Sequence, residues 1–280
     1  MDVSAEPNLR RRFCALRARD TTLTCPSTEF RSGGILRTSR TLDTWSPRMR
    51  TPKTAESERI SALLDAEAKA AALFDEVVAR GIIAPGATES AVSDAVRDLA
   101  AEMFGTSRFW HKRIVRSGIN TLEPYRENPP DRVIGEDDIC FLDFGPVFAE
   151  WEADFGRTYV LGDDPAKLSL RDALEPLWNW CREYFETRPD ITGEQLYAAV
   201  IEQAEKRGWK FTAAIAGHLV GEFPHKQISG TDITCYVAPG STTPMRRLDP
   251  TGKPCHWILE IHLIDPERNI GGFFEQLLDV

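Results

Sequence analysis

The 280-residue sequence lacks an apolar run of the roughly 18 residues that a membrane-spanning helix needs, and it lacks a charged start followed by a short apolar stretch. A membrane span and a secretory signal are therefore not expected, and the cytoplasm is the predicted compartment. The formal net charge of −9 argues against a broad cationic surface. Because nucleic acids and anionic membranes are bound by clustered lysine and arginine, neither is expected as a partner.

Cysteine is also sparse, with six residues and no CxxC pair. Disulfide frameworks are typical of short secreted chains, and zinc cages use closely spaced cysteine pairs. The six cysteines are therefore predicted to be scattered reduced thiols, and no chemical role is assigned to them.

Residues 1–50 differ in composition from the rest of the chain. They contain ten arginines and five acidic residues, are rich in serine and threonine, and show no sustained helical or strand period. We predict that they are disordered. Arginine and serine enrichment is typical of transit peptides, but the five acids argue against one. The favoured interpretation is that Met49 is a natural start and that the first 48 residues are dispensable. Residues 51–280 are predicted to form the folded domain.

A first pair of amphipathic helices is predicted after this segment. One helix starts near Thr54 and keeps an apolar stripe until Gly81. The other is capped by Thr88, which follows a Pro-Gly turn, and ends at Gly105. Two β-like stretches follow this pair, IVRSGIN and DICFLDFG.

A second pair of helices repeats this arrangement. Residues 174–185 carry apolar side chains at helical spacing, and a further helix is predicted between Thr192 as its cap and Gly208 as its stop. The β-like stretches that follow are TDITCYVAP, HWILEIHLI and GGFFEQLLDV. Two such halves predict an α+β domain in which a shared antiparallel sheet carries the helices on its outer face.

Two aspartates interrupt this β-like sequence. Asp143 and Asp154 lie in DICFLDFGPVFAEWEADFGRT, which begins at position 138. A buried carboxylate is costly unless a cation or a set of hydrogen-bond donors holds it. Gly145 and Pro146 are expected to turn the chain, so that two neighbouring strands direct both carboxylates to one point. Taken alone, an aspartate at a bulge or strand end is an equally good interpretation.

Three further side chains with nitrogen or oxygen donors interrupt apolar segments. They are His218 in AGHLVG, Glu260 in ILEIH and Glu275 in FFEQLL. Together with the two aspartates they supply five donor side chains, enough for two divalent ions that share bridging carboxylates about 3.5–4 Å apart. The sequence therefore predicts that a metal holds the two aspartates.

The order and context of these five residues resemble the pita-bread metallopeptidases, which include methionine aminopeptidase, aminopeptidase P and prolidase. The segment IIAPGATES also resembles the PGxTE segment that links two helices in this family. The resemblance covers about residues 55–280 and implies the pita-bread fold with its pseudo-symmetric halves. The amino-terminal domain of aminopeptidase P and prolidase is not expected here, so the catalytic domain is expected to stand alone, as in methionine aminopeptidase.

The resemblance implies a role for each of the five residues. Asp143 would bind one ion and His218 the other. Asp154 and Glu275 would bridge both ions, and Glu260 would be a ligand and a proton carrier. Two cations would activate a shared water and polarise the scissile carbonyl. A carboxylate-rich set with one imidazole suits Mn, Co, Fe or Zn and does not select among them.

His225 follows His218 by seven positions, which matches the spacing of a second histidine in the family. By resemblance it would donate a hydrogen bond to the substrate carbonyl or to the tetrahedral intermediate, a role worth about 3 kcal/mol. The alternative interpretation is an ordinary loop residue in FPHKQ.

One histidine of the family is missing from this sequence. The loop before the first ligand strand has Pro124 and Tyr125 where the relatives carry a histidine. His111 and His262 are candidate replacements, and His262 would share a strand face with Glu260. For both, however, a surface or packing role is the favoured interpretation.

Two other groups of residues are given structural roles. Arg157 and Thr158 are expected to support the Asp154 carboxylate, because carboxylates that bind metals are usually hydrogen-bonded themselves. Four aromatic residues are expected to pack in the core or at a contact between two copies in a homodimer: Trp178, Trp180, Tyr184 and Phe185.

The function implied by the resemblance is a dinuclear metal-dependent hydrolase that cleaves a peptide substrate near its amino terminus, in the Xaa-Pro or methionine aminopeptidase class. The alternative is a non-peptidase member of the fold, either a binding module or a creatinase-like C–N hydrolase. Creatinase-type members lack the ligand set, so its presence argues against that branch. A binding module would have no use for four mutually repelling acids unless it held a structural metal.

Overall fold

Four α-helices lie in the part of the chain that the computed structural model describes, residues 52–224 and 232–280. They are α1 (Pro52–Ala79), α2 (Glu89–Phe104), α3 (Pro165–Glu186) and α4 (Gly193–Lys206). Their order confirms the two predicted pairs. None of these helices is both long and apolar enough to cross a membrane. The predicted disordered segment, residues 1–50, lies outside the described residues.

The helix ends follow from the residues that cap them. The Thr88 hydroxyl accepts a hydrogen bond from the Ala91 N–H, and Gly105 ends α2 in the left-handed conformation with φ of 67°. At α4, Thr192 and Gln195 form a reciprocal capping box. These predicted caps are confirmed. Helix α3 begins earlier than the apolar pattern indicates, because Asp164 caps its amino end.

Nine strands occur within the described residues. They are β1 (Ile114–Ser117), β2 (Ile139–Phe144), β3 (Val147–Phe148), β4 (Trp151–Glu152), β5 (Phe155–Val160), β6 (Lys210–Phe211), β7 (Gly217–Val220), β8 (His256–Asp265) and β9 (Ile270–Leu277). Seven of them form one antiparallel sheet in the order β1-β2-β5-β9-β8-β6, with β7 also paired to β8. Strands β3 and β4 form a separate hairpin.

The helices cover one face of this sheet. Helices α1 and α2 pack on β2 and β5 through residues such as Leu142, and α3 and α4 pack on β8 and β9 through Leu259 and Phe274. Side chains alternate between the two faces of a strand. The neighbouring positions therefore project from the face opposite the helices: Asp143, Glu260 and Glu275. This arrangement confirms the predicted α+β architecture with helices on the outer face.

Two local predictions are wrong. The chain does not turn back at Gly145 and Pro146; it turns at Ala149 and Glu150, whose φ values of 46° and 72° suit the tight turn of the β3–β4 hairpin. The described part of TDITCYVAP is not a strand. Asp232 accepts a hydrogen bond from the Thr234 N–H and caps a short 3₁₀ turn instead. Strand β7, around His218, was not among the predicted strands.

Candidate metal centre

Three of the five predicted ligands lie in one row across the sheet. Asp143 on β2 is opposite Gly156 on β5. Gly156 is in turn opposite Glu275 on β9, and Glu275 is opposite Glu260 on β8. A Cβ at Gly156 would lie 3.1 Å from the Cβ of Glu275 and would overlap the ring of Phe273. Glycine at this position therefore leaves space for the side chains on either side of it.

Asp154, immediately before β5, lies between two imidazoles. Its Oδ1 is 3.0 Å from Nε2 of His111, and its Oδ2 is 3.1 Å from Nε2 of His218. Nε2 of His111 is also 3.6 Å from Oδ1 of Asp143, and Nε2 of His218 is 3.9 Å from Oε1 of Glu275. Asp154 is only 3% exposed. One buried carboxylate thus connects the two halves of the cluster.

Two carboxylate oxygens of the cluster have no protein partner. Among the described residues, Oε1 of Glu260 and Oε2 of Glu275 are buried and make no hydrogen bond. Leaving such atoms unpaired is costly, because their desolvation is not compensated. Two sets of three donor atoms, each within 4.8 Å of one another, also suit a metal ion: one from His111, Asp143 and Asp154, the other from Asp154, His218 and Glu275. The residues present therefore fit divalent cations.

Burial, together with the neighbouring charges, raises the pKa values of three acids in the cluster. Burial raises the pKa of Asp143 to about 7, with Asp154 adding to the effect and His111 opposing it. Burial likewise raises the pKa of Glu260 to about 8. For Glu275, burial and the charges of Asp154 and Asp143 raise the pKa well above its usual value. Without a cation, several of these groups hold protons near neutral pH.

The pKa values of the two imidazoles are raised as well. Although burial lowers the pKa of both, the adjacent carboxylates raise the pKa of His111 and that of His218 to about 9. For Asp154, burial raises the pKa, but the two imidazoles outweigh it and hold the pKa well below its usual value. In the metal-free protein, protons on the imidazoles thus balance the charge of this acid.

Arg157 does not contact the Asp154 carboxylate as predicted. Its guanidinium donates to the backbone carbonyl oxygens of Gly156 and Glu275 at 2.8 and 2.9 Å. It also lies between two aromatic rings, 3.7 Å from the centroid of Phe155 and 3.9 Å from that of Phe274. The registry of β5 and β9 leaves the side chain on the helix-covered face, away from the carboxylates. Arg157 therefore fixes the backbone that carries Glu275.

The favoured sequence interpretation of His111 as a surface or packing histidine is wrong. It precedes β1 by three residues, and because Ile114 is opposite Asp143, the end of β1 brings the imidazole to the cluster. Only this pairing register could have revealed it from the sequence. His262 is a packing residue: it lies between the rings of Phe141 and Phe273.

The remaining predicted residues are distributed as follows. His218 lies on β7 with its Nδ1 donating to the Leu219 carbonyl oxygen at 2.9 Å. His225 lies outside the described residues, and its role stays a prediction. Tyr125, at the position of the missing family histidine, is half exposed and places its ring 6.1 Å from that of His111.

The PGATES segment fixes the loop that follows β1. Both oxygens of the buried Glu89 carboxylate accept hydrogen bonds, Oε1 from the backbone and hydroxyl of Ser117 at the end of β1 and Oε2 from the side-chain amide of Asn120 in the loop. The four cysteines among the described residues are buried and form no disulfide bond, as predicted: Cys140, Cys181, Cys235 and Cys255. Of the aromatic cluster, Trp178 and Phe185 are core residues.

A family model described as metallopeptidase family M24 matches residues 61–247 of the chain. No protein with a curated description matches the sequence significantly. Among solved structures, dipeptidase PepE from Mycobacterium ulcerans shares 25% sequence identity with a TM-score of 0.59, over 77% of this chain and 54% of that one.

Two further structures have the same fold at lower identity. The X-Pro aminopeptidase from Thermotoga maritima is 18% identical, with a TM-score of 0.60 over 80% of this chain and 59% of that one. Methionine aminopeptidase from Rickettsia prowazekii is 16% identical, with a TM-score of 0.57 over 79% of this chain and 92% of that one. The chain thus spans little more than half the length of the first two enzymes. The pita-bread fold implied by the sequence is confirmed.

Proposed function

This chain belongs to metallopeptidase family M24, and from that membership and the geometry of the cluster we propose that it is a dinuclear metal-dependent peptidase of the aminopeptidase type. The proposed ligands are the five side chains named from the sequence: Asp143, Asp154, His218, Glu260 and Glu275. The site is proposed to hold two divalent ions of Mn, Co, Fe or Zn, which all accept mixed carboxylate and imidazole ligands.

One observation carries this proposal. The buried oxygens Oε1 of Glu260 and Oε2 of Glu275 lack any partner among the described residues, and both belong to side chains that pair directly across β8 and β9. A structural acid would be expected to have donors around it, whereas a ligand directs a free oxygen at the ion. Burial raises the pKa values of the same two acids, and the neighbouring carboxylates add to the effect.

When bound, the two ions would lower the pKa of a water molecule and polarise the substrate carbonyl. Asp154 would orient the site, because its two oxygens face opposite halves of the cluster. Glu260 would also accept the proton of the attacking water and deliver it to the leaving amine, the role that the family resemblance implies for it. His225 is proposed to donate a hydrogen bond to the developing oxyanion.

The proposed substrate is a peptide cleaved next to its amino terminus. This proposal is supported by the similarity to PepE, which is described as a dipeptidase. Xaa-Pro and methionine aminopeptidase specificities are the two candidates, and a peptide library separates them.

The test uses the full 280-residue protein, loaded in turn with Mn, Co, Zn and Fe(II) and incubated with a library of short peptides. We expect about two ions per chain and metal-dependent release of an amino-terminal residue or dipeptide, read by mass spectrometry. The same peptides with acetylated amino termini are the matched control and should be cleaved more slowly. Metal-loaded protein that cleaves no peptide would contradict the proposal, and stable binding of a partner by that protein would favour the binding module.

A further inference from the structure

We propose that His111 is a further metal ligand of this centre, so that each of the two ions receives one imidazole. Neither the sequence pattern nor the family resemblance assigns this residue to the ligand set. The inference rests on the proposed function, because it requires that the carboxylates around His111 bind divalent ions. It also goes beyond that function, since it changes the composition of the site from one imidazole to two.

His111 and His218 are oriented by the same kind of hydrogen bond. The Nδ1 of each donates to the backbone carbonyl oxygen of the following residue, Lys112 at 2.8 Å for His111 and Leu219 at 2.9 Å for His218. Histidines that bind metals are usually oriented by such a hydrogen bond, which fixes the second ring nitrogen as the metal-binding atom. The arrangement that suits His218 to a metal ion therefore suits His111 equally.

Among the described residues, the Nε2 of each ring lies within 4 Å of two carboxylate oxygens. For His111 these are Oδ1 of Asp154 at 3.0 Å and Oδ1 of Asp143 at 3.6 Å. With Nδ1 protonated, the lone pair of Nε2 would repel both oxygens unless a second proton or a metal ion lies between them. Around an ion with bond lengths of about 2.1 Å, neighbouring donor atoms lie about 3.0–3.4 Å apart. The separations observed at His111 are close to that spacing.

The surroundings of His111 hold it in this position. Its side chain is 7% exposed, and the ring of Trp110 lies edge-on to it at 4.5 Å between centroids. The Trp110 indole N–H donates to the carbonyl oxygen of Ala153 at 2.9 Å, next to Asp154 in the chain. A Cβ at Gly145 would overlap both the His111 and the Trp110 rings. The site is thus shaped to accept this imidazole against its carboxylates.

A second imidazole has a chemical consequence for metal choice. Carboxylate and water ligands suit manganese, whereas imidazole favours zinc, iron and copper among the first-row metals. The site with His111 is therefore expected to prefer zinc or iron over manganese more strongly than a site with a single histidine.

The direct test counts imidazoles on the zinc-loaded full-length protein by X-ray absorption spectroscopy. We expect an average of one imidazole per zinc, since two histidines would be shared by two ions. A count of one half would mean that only His218 binds. This measurement needs no variant, so it does not depend on whether a substitution is tolerated.

The second test compares His111→Gln with His262→Gln by calorimetric zinc titration. His262 is a buried histidine whose Nε2 lies 2.8 Å from the Thr121 carbonyl oxygen, and glutamine keeps a donor there. We expect His111→Gln to lower the affinity for one of the two zinc ions by more than about 100-fold. Losing a group that only orients a ligand costs roughly 10- to 100-fold. His262→Gln should retain both ions.

The two proposals fail in different ways. If wild-type protein binds no divalent ion, the proposed function is wrong and this inference falls with it. If the wild-type protein binds two ions with half an imidazole per zinc, and His111→Gln binds both with less than about 100-fold loss, the metal centre stands and the role of His111 as a ligand is refuted.

Discussion

Gly145 and His111 are in contact, and the space between them has no room for a Cβ on residue 145. Gly145 follows β2, and the imidazole lies against its backbone on the way to Asp154. We therefore expect Gly145→Ala to displace the imidazole and to cost about 1–3 kcal/mol of unfolding free energy, as overpacking does. Urea denaturation and zinc titration of the same protein measure both effects.

Gly135 provides the control for this substitution. A Cβ at Gly135 would meet only an oxygen of Asp138, at an ordinary contact distance of 3.6 Å. Gly135→Ala should therefore leave metal affinity unchanged. If Gly145→Ala binds zinc as tightly as the wild type, the position of His111 is not set by this contact.

Asp154→Asn should lose metal and activity while keeping the fold. The amide removes the negative charge that faces both imidazoles and leaves only one oxygen able to bind a cation. We expect fewer than two ions per chain by elemental analysis and no peptide cleavage, with an unchanged circular dichroism spectrum. Asp265→Asn, at the far end of β8 where the acid pairs with Arg268, is the matched control. Unchanged metal content in Asp154→Asn would contradict its bridging role.

In the metal-free protein, the free energy of unfolding should fall as pH rises. Burial raises the folded-state pKa values of Asp143 to about 7 and Glu260 to about 8, and that of Glu275 well above its usual value. Adjacent acids raise the pKa values of His111 and His218 to about 9. The folded state therefore binds more protons than the unfolded state between about pH 5 and 9, so its stability decreases across that range.

Metal should reverse this dependence, because the ions bind only the deprotonated ligands and replace the protons. The lowered pKa of Asp154 has the opposite effect on stability, but only at acidic pH, below the usual pKa of an aspartate. Melting temperatures measured from pH 5 to 9 with EDTA and with saturating zinc test the prediction. Identical profiles under the two conditions would show that the cluster does not bind cations.

Replacement of Arg157 should destabilise the sheet next to Glu275. Arg157→Met keeps much of the contact with Phe155 and Phe274 but loses the hydrogen bond to the Glu275 carbonyl oxygen. We expect a loss of about 2–4 kcal/mol in unfolding free energy, measured by urea denaturation of the metal-free protein. Arg171→Met removes an exposed arginine paired with a neighbouring aspartate and should cost less than about 1 kcal/mol. Equal effects would contradict the role of Arg157 in fixing the backbone that carries Glu275.

The helices and the row of acids were predictable because they depend on local patterns. Thr88 and Thr192 are strong caps at the start of apolar stripes, and the acids at 143, 260 and 275 each break an apolar strand, which is costly without a partner. Their convergence on one site was predicted from the five donor side chains and the family resemblance, and alternation along each strand explains the face that they share.

Positions that depend on pairing between distant segments were not predictable. His111 reaches the cluster because β1 pairs with β2 in one register, and a shift by one residue would turn Ile114 away from its place opposite Asp143. Arg157 was assigned to Asp154 from proximity in the sequence, but β5 and β9 place it over the Glu275 backbone. In the same way, the turn at Ala149 depends on a hairpin whose two strands have two residues each, too short to show an alternating pattern.

Trp110 lies edge-on to both imidazoles, with centroid separations of 4.5 Å to His111 and 5.3 Å to His218. Its indole therefore lies next to both imidazoles, where protons or ions bind. Protonated histidines quench tryptophan emission, and so do Co²⁺ and Cu²⁺, whereas Zn²⁺ in place of a proton should relieve part of that quenching. The change in tryptophan emission on ion binding is therefore expected to come mainly from this one of the seven tryptophans, and Trp110→Phe should remove it.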